Sequence, residues 1–239
     1  MMLDVAIEIR KYAGTRAGRA VLIVVAGLTV LLAAAGALVV DGEPLAASRA
    51  LRYPMTMLEV GLPIVVVLLF TAEWSTRDAV QTFLLRPRRG VVLRSKCLAA
   101  VLVLAAGLAL GLLATLAAVG VRAVATGTAL SVAGIGGAWA QSVLTTLLYG
   151  AFAAGTGLLV ARTAVGLVVY LGAITLVESM LALGLGERSV WLSLGQAVGR
   201  LSSTEVQTAD LPSLATAVGL WIVLPAVLGT HAFLRREAR

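Results

Sequence analysis

The chain has 239 residues, 60% of them hydrophobic and 13% charged, with a mean hydropathy of +1.00 and a formal net charge of +7. A water-soluble domain of this size has no core large enough for that much apolar surface, so the composition excludes one and the excess is expected to face lipid. The basic balance, which in a soluble protein would point to nucleic acid, is here a question of where along the chain the cations fall.

Crossing a hydrocarbon layer of about 30 Å takes roughly 20 helical residues. Six apolar runs meet that length: Ala20 to Val40, Met55 to Ala72, Cys97 to Val121, Ala138 to Val160, Ala164 to Gly184 and Ser213 to Leu234. They consume most of the chain and leave no room for a soluble domain between them. The expected fold is an all-α integral membrane bundle of six helices, forming one transmembrane domain over residues 1–239.

Ahead of the first run, Leu3, Val5, Ile7, Ile9 and Tyr12 mix with Asp4, Glu8, Arg10 and Lys11. The pattern is not cleanly helical, although an interfacial helix suits a segment with apolar and cationic sides. Ala35, Gly36 and Ala37 resemble a processing site for a secretory leader. The run before them is longer than a signal core and follows a long basic lead, so it is expected to remain as an uncleaved anchor. Asp41 to Pro54, with Gly42 and Pro44, reads as a loop.

The connector from Glu73 to Lys96, EWSTRDAVQTFLLRPRRGVVLRSK, carries the most information outside the spans. Ser75 and Asp78 stand at capping spacing, Val80, Phe83 and Leu84 then fall at helical spacing, and Pro87 with Gly90 supplies a stop. That predicts a short amphipathic helix beside the membrane, a basic turn, and a second apolar segment leading into the third span. Only a few residues around Arg162 and Thr163 separate spans four and five, which makes them antiparallel neighbours. The segment from Leu185 to Pro212 is long for a bundle connection, and Val190 to Leu201 is apolar enough to dip into the interface with Trp191 as an anchor.

The cations alternate in number between successive connectors. One set holds Arg10, Lys11, Arg16 and Arg19, then Arg77, Arg86, Arg88, Arg89, Arg94 and Lys96, then Arg162, then Arg235, Arg236 and Arg239; the other holds only Arg49, Arg52, Arg122, Arg188 and Arg200. Fourteen against five follows the positive-inside rule and predicts both termini, and the 73–96 connector, in the cytoplasm.

Several chemistries lack their residues. A phosphate-cradling GxxxxGK[ST] loop needs a glycine before its lysine, and the two lysines, Lys11 and Lys96, follow Arg10 and Ser95. One histidine, His231, and one cysteine, Cys97, form no zinc-spaced cluster and no internal disulfide. There is no GxSxG, and His231 lies at the inner end of the last span, so intramembrane serine proteolysis is unsupported. The chain reads as non-enzymatic, with no cofactor or metal of its own. Two acids remain in or near the spans, Glu59 and Glu178. A carboxylate left unpaired there costs on the order of 2.5 to 3.5 kcal/mol, so each is expected to meet a partner or a wet cavity. Gly107 with Gly111, and Ala151 with Gly155, read as packing positions, and Pro63 and Pro225 as bends.

Glu73, Thr76, Arg77, Leu84, Leu85, Pro87, Arg89 and Lys96, in the order E..TR......LL.P.R......K between two spans, resemble the permease subunits of type-2 ATP-binding-cassette exporters. Six spans, inside termini, a basic leader and a long outer segment between spans five and six extend the resemblance over most of the chain. It implies a permease in the plasma membrane, paired with a second copy or a related permease and with two separate ATP-binding subunits that carry ATP and Mg. The helix around Thr76 to Leu85 would be the coupling helix, with Glu73, Thr76, Arg77, Val80, Phe83, Leu84, Pro87 and Arg89 as its contact set. Glu59 and Glu178, on spans two and five, would line the path of a hydrophobic or amphipathic cargo such as a drug, a lipid-like molecule or a peptide. Lipids are the remaining partner, and no nucleic acid is expected. A self-sufficient ion-coupled carrier using Glu178, or a membrane assembly scaffold, is the alternative.

Overall fold

The computed structural model describes residues 2–75, 89–202 and 210–235. A leader helix, α1 (Met2–Gly14), breaks at Thr15, whose hydroxyl accepts from the Gly18 amide at 2.9 Å and caps α2 (Arg16–Val39). Then come α3 (Ala47–Ser75), α4 (Arg89–Thr126) and α5 (Ile135–Val160). The last two long helices are α6 (Thr163–Leu185) and α8 (Leu211–Arg235), with α7 (Leu194–Ser202) between them. Six of these helices, α2 to α6 and α8, are long and apolar enough to cross a membrane, as the hydropathy runs predict.

The helices overrun those runs at their ends. Residues from Ala47 onward, read as part of a loop, form the first turns of α3, and both Pro54 and Pro63 lie inside that helix. A proline removes one N–H and bends a helix, but in a bundle its neighbours sustain the rest. The loop that remains, residues 40–46, pairs in parallel with the loop after α4 through two two-residue strands, β1 (Leu45–Ala46) and β2 (Leu130–Ser131). Ser75, read as a cap opening the connector helix, is instead the last residue of α3, and Asp78 lies outside the described residues.

Helices α3 and α5 are the centre of the bundle. Of their most apolar windows 61% and 50% are buried, against 11% for α6 and 17% for α8, whose remaining surface is left for lipid or a partner. Helix α3 packs on α2, α4, α5 and α6, while α5 also receives α8. Leu58 and Leu62 of α3 seat on Gly111 and Gly107 of α4, and the α5–α8 crossing is set by Gly155 and Gly229. A side-chain carbon at Gly229 would stand 2.7 Å from the Gly155 carbonyl, so only hydrogen fits there. The packing role expected of Gly107, Gly111 and Gly155 holds.

Candidate functional site

Two polar assemblies stand out, one at each end of the bundle. At the end that carries the termini, Lys96 of α4 is 1% exposed, and an ammonium so buried is tolerated only when paired. Its Nζ donates to Glu8 Oε2 of α1 at 2.9 Å and sits 3.1 Å from Glu73 Oε2 of α3. Lys11 of α1 closes the ring, 3.0 Å from Glu73 Oε1 and 3.5 Å from Glu8 Oε1. Two carboxylates and two ammoniums thus join the leader to both helices that flank the connector.

Burial alone would lower the proton affinity of Lys11. The charge and hydrogen bond of Glu73, followed by those of Glu8, outweigh it and hold the ammonium above its ordinary value of 10.5. Next to it, Tyr12 is buried, which pushes its hydroxyl up to about 12. Val5, Glu8 and Tyr12 form one buried face of α1, three helical positions in register. Arg89, the first residue of α4, donates to the Leu234 carbonyl at 2.9 Å and so ties the end of α8 to the same region.

Glu73 and Arg89 are therefore anchored within the bundle. Thr76, Arg77, Val80, Phe83, Leu84 and Pro87, the rest of the expected coupling set, lie outside the described residues. Sequence reading missed Glu8 and Lys11. Their i, i+3 spacing was visible, but a buried face containing a carboxylate gives no apolar periodicity.

At the opposite end, residues 186–202, which follow α6, fold back onto the bundle. A 3-10 segment, Gly186–Trp191, leads into α7, which buries Leu194, Ala197 and Val198. Ser193 caps α7: its Oγ accepts from the Gln196 amide at 3.0 Å. The Ser193–Gln196 spacing is a capping-box signal that sequence reading could have used. Glu178 of α6 completes the cap. Its carboxylate accepts from the amides of Leu194 at 2.6 Å and Gly195 at 3.1 Å, and from the Ser193 hydroxyl. A carboxylate at the first turn of a helix is favourably placed against unpaired amides and the positive end of the helix dipole.

The helices that receive this segment are locally widened. Helix α6 has a π turn over Ala173–Val177, immediately before Glu178. Helix α8 has another over Gly219–Val223, containing Trp221, whose Nε1 donates to the Leu192 carbonyl at 2.6 Å. Each extra residue rotates the following side chains, and such turns cluster where function needs a particular aim. Glu59 of α3 is half-buried and faces Ser142 of α5. Tyr149 of α5 lies within electrostatic reach of both Glu59 and Glu178, so the two acids border one polar region of the bundle.

No protein-family model, curated protein or solved structure matches the chain. What the molecule is, at the level the fold defines, is a helical bundle with six candidate membrane-spanning helices, hence a multi-pass membrane protein.

Proposed function

We propose that this chain is the permease subunit of an ATP-driven exporter of the type-2 ATP-binding-cassette class. It moves a hydrophobic or amphipathic molecule out of the cytoplasm, using ATP hydrolysed by separate subunits. Both termini and the connector after α3 face the cytoplasm in this reading, in keeping with the fourteen-to-five distribution of cations.

The observation that carries the reading is the charge ring. Glu73 and Lys96, the first and last residues of the motif, lie 3.1 Å apart and are both bonded to α1. A lever works only if its base is fixed. The ring fixes the base of the connector, so a push on Thr76, Arg77, Val80, Phe83, Leu84 and Pro87 by an ATP-binding subunit is passed to α1, α3 and α4 together. Such a push biases the bundle between two arrangements of packed helices. Glu73 and Arg89 serve as anchors of the lever, and the residues between them as its contact surface. At the other end, Glu178 holds the outer segment while Glu59 and Tyr149 border the polar part of the cargo route.

The test is recovery of the partner. Gentle detergent extraction of the tagged chain should bring down an ATP-binding subunit. Phe83→Asp should lose that subunit, or uncouple transport from ATP hydrolysis, with membrane insertion intact. Normal recovery and unchanged transport in Phe83→Asp would remove the coupling role. A chain that purifies alone and transports on a proton gradient would be the ion-coupled carrier instead.

A further inference from the structure

We infer that the end of the bundle opposite the termini carries a binding site for the phosphate of an anionic phospholipid headgroup, built on Arg49 and Arg52. Of the five basic residues at that end, Arg122 donates to the Val40 carbonyl at 2.6 Å and pairs with Asp41 at 3.2 Å, Arg200 bonds Asp210, and Arg188 stands on the 3-10 segment. Arg49 and Arg52 differ from Arg122 and Arg200 in lacking a partner among the described residues, and from Arg188 in standing as a pair over one cavity. They lie three residues apart on the first turns of α3, hence on one side of the helix. Among the described residues neither guanidinium has a hydrogen bond or an ion pair.

Both border a cup of about 580 Å³ between those turns and the end of α2, closed by Val40, Asp41, Tyr53 and Thr56. Gly42 belongs to its construction. Its φ of +126° is one that other residues rarely adopt, and a side-chain carbon there would stand 3.1 Å from Arg49 Nη2. The glycine lets the guanidinium rest against the loop, over the cup. Asp41 brings one negative charge, but Arg122 already holds it, which leaves the cup with a positive excess.

The chemistry selects the ligand. Paired guanidiniums match phosphate oxygens in geometry as well as charge. The cup lies where the apolar run of α2 gives way to Asp41, beside a tyrosine, a polar end of a span with an aromatic residue that is expected at headgroup level. The phosphate abundant at that depth belongs to lipid. The inference does not depend on the exporter reading and survives its failure.

Native mass spectrometry of the purified full-length chain tests it, with phosphatidylglycerol, phosphatidylcholine or inorganic phosphate added in turn. Wild type should retain phosphatidylglycerol in preference to phosphatidylcholine. Arg49→Gln/Arg52→Gln should cut that retention about tenfold or more, as expected for lost charged hydrogen bonds, while Arg188→Gln leaves it unchanged. If the double variant fails to fold, Arg52→Gln alone carries the test, because Arg52 is exposed; it should weaken retention several-fold. Equal retention by variant and wild type, or no preference over phosphatidylcholine, would overturn the site. Competition by inorganic phosphate at equal concentration would reassign it to free phosphate and overturn the lipid source.

Discussion

At Glu178 a single carboxylate satisfies a hydroxyl and two backbone amides of a helix 16 residues further on. An ionised acceptor suits that arrangement, because charge-assisted bonds exceed neutral ones and the donors sit at a helix terminus. Both amides meet Oε1 and the hydroxyl meets Oε2, so Glu178→Gln can leave its oxygen on the amides but removes the negative charge and sets an NH2 donor against the Ser193 hydroxyl. Amide hydrogen exchange at Leu194 and Gly195 should then accelerate about tenfold or more, in line with the worth of a hydrogen bond to a charged group. Glu59→Gln acts on Ser142 and Tyr149 rather than on the α7 amides, and should leave exchange in α7 at the wild-type rate. Unchanged exchange in Glu178→Gln would mean that α7 is held without this charge, by the Ser193 cap and the burial of Leu194, Ala197 and Val198. The acid itself was legible in the sequence as one needing a partner. The partner was not, because Ser193 and the α7 amides approach only after the 3-10 segment reverses the chain.

Among the elements, α1 shows how a charged helix becomes part of a membrane bundle. Its apolar residues alternate in sequence, which hid the helix, while the face it buries contains Glu8. The position is stabilised by Lys96, which would be intolerable in an apolar setting without Glu8 and Glu73. Lys96→Met removes the buried cation and leaves the two carboxylates to share Lys11. Breaking a buried pair costs about 3–5 kcal/mol, and thermal unfolding of the purified protein should come correspondingly earlier. Adding Glu8→Gln to Lys96→Met should recover part of the loss, since it takes away the excess acid and leaves Lys11 to Glu73. No recovery in the double variant would show that the ring contributes through packing of the lysine stem rather than through charge. The motif had marked Glu73 and Lys96 as ends of a connector 24 residues long; that they touch is a tertiary fact, requiring α3 and α4 to be antiparallel and in register.

For the whole molecule, hydropathy was the strongest signal because lipid demands long uninterrupted apolar helices, and the six runs all correspond to helices. Their ends were less legible. Polar residues such as Arg49, Ser75 and Arg94 continue a helix beyond the hydrocarbon, where propensity and neighbours decide rather than lipid. The proposed function requires the connector after α3 to face the cytoplasm and grip a separate ATP-binding subunit. Replacing Phe83 by cysteine in a Cys97→Ser background, and loading it in whole cells with a short photo-crosslinker, measures side and partner together. A cytoplasmic, docked connector gives no labelling by a membrane-impermeant thiol reagent added outside, and a covalent product with an ATP-binding subunit. Labelling from outside, or a product with lipid alone, would contradict it.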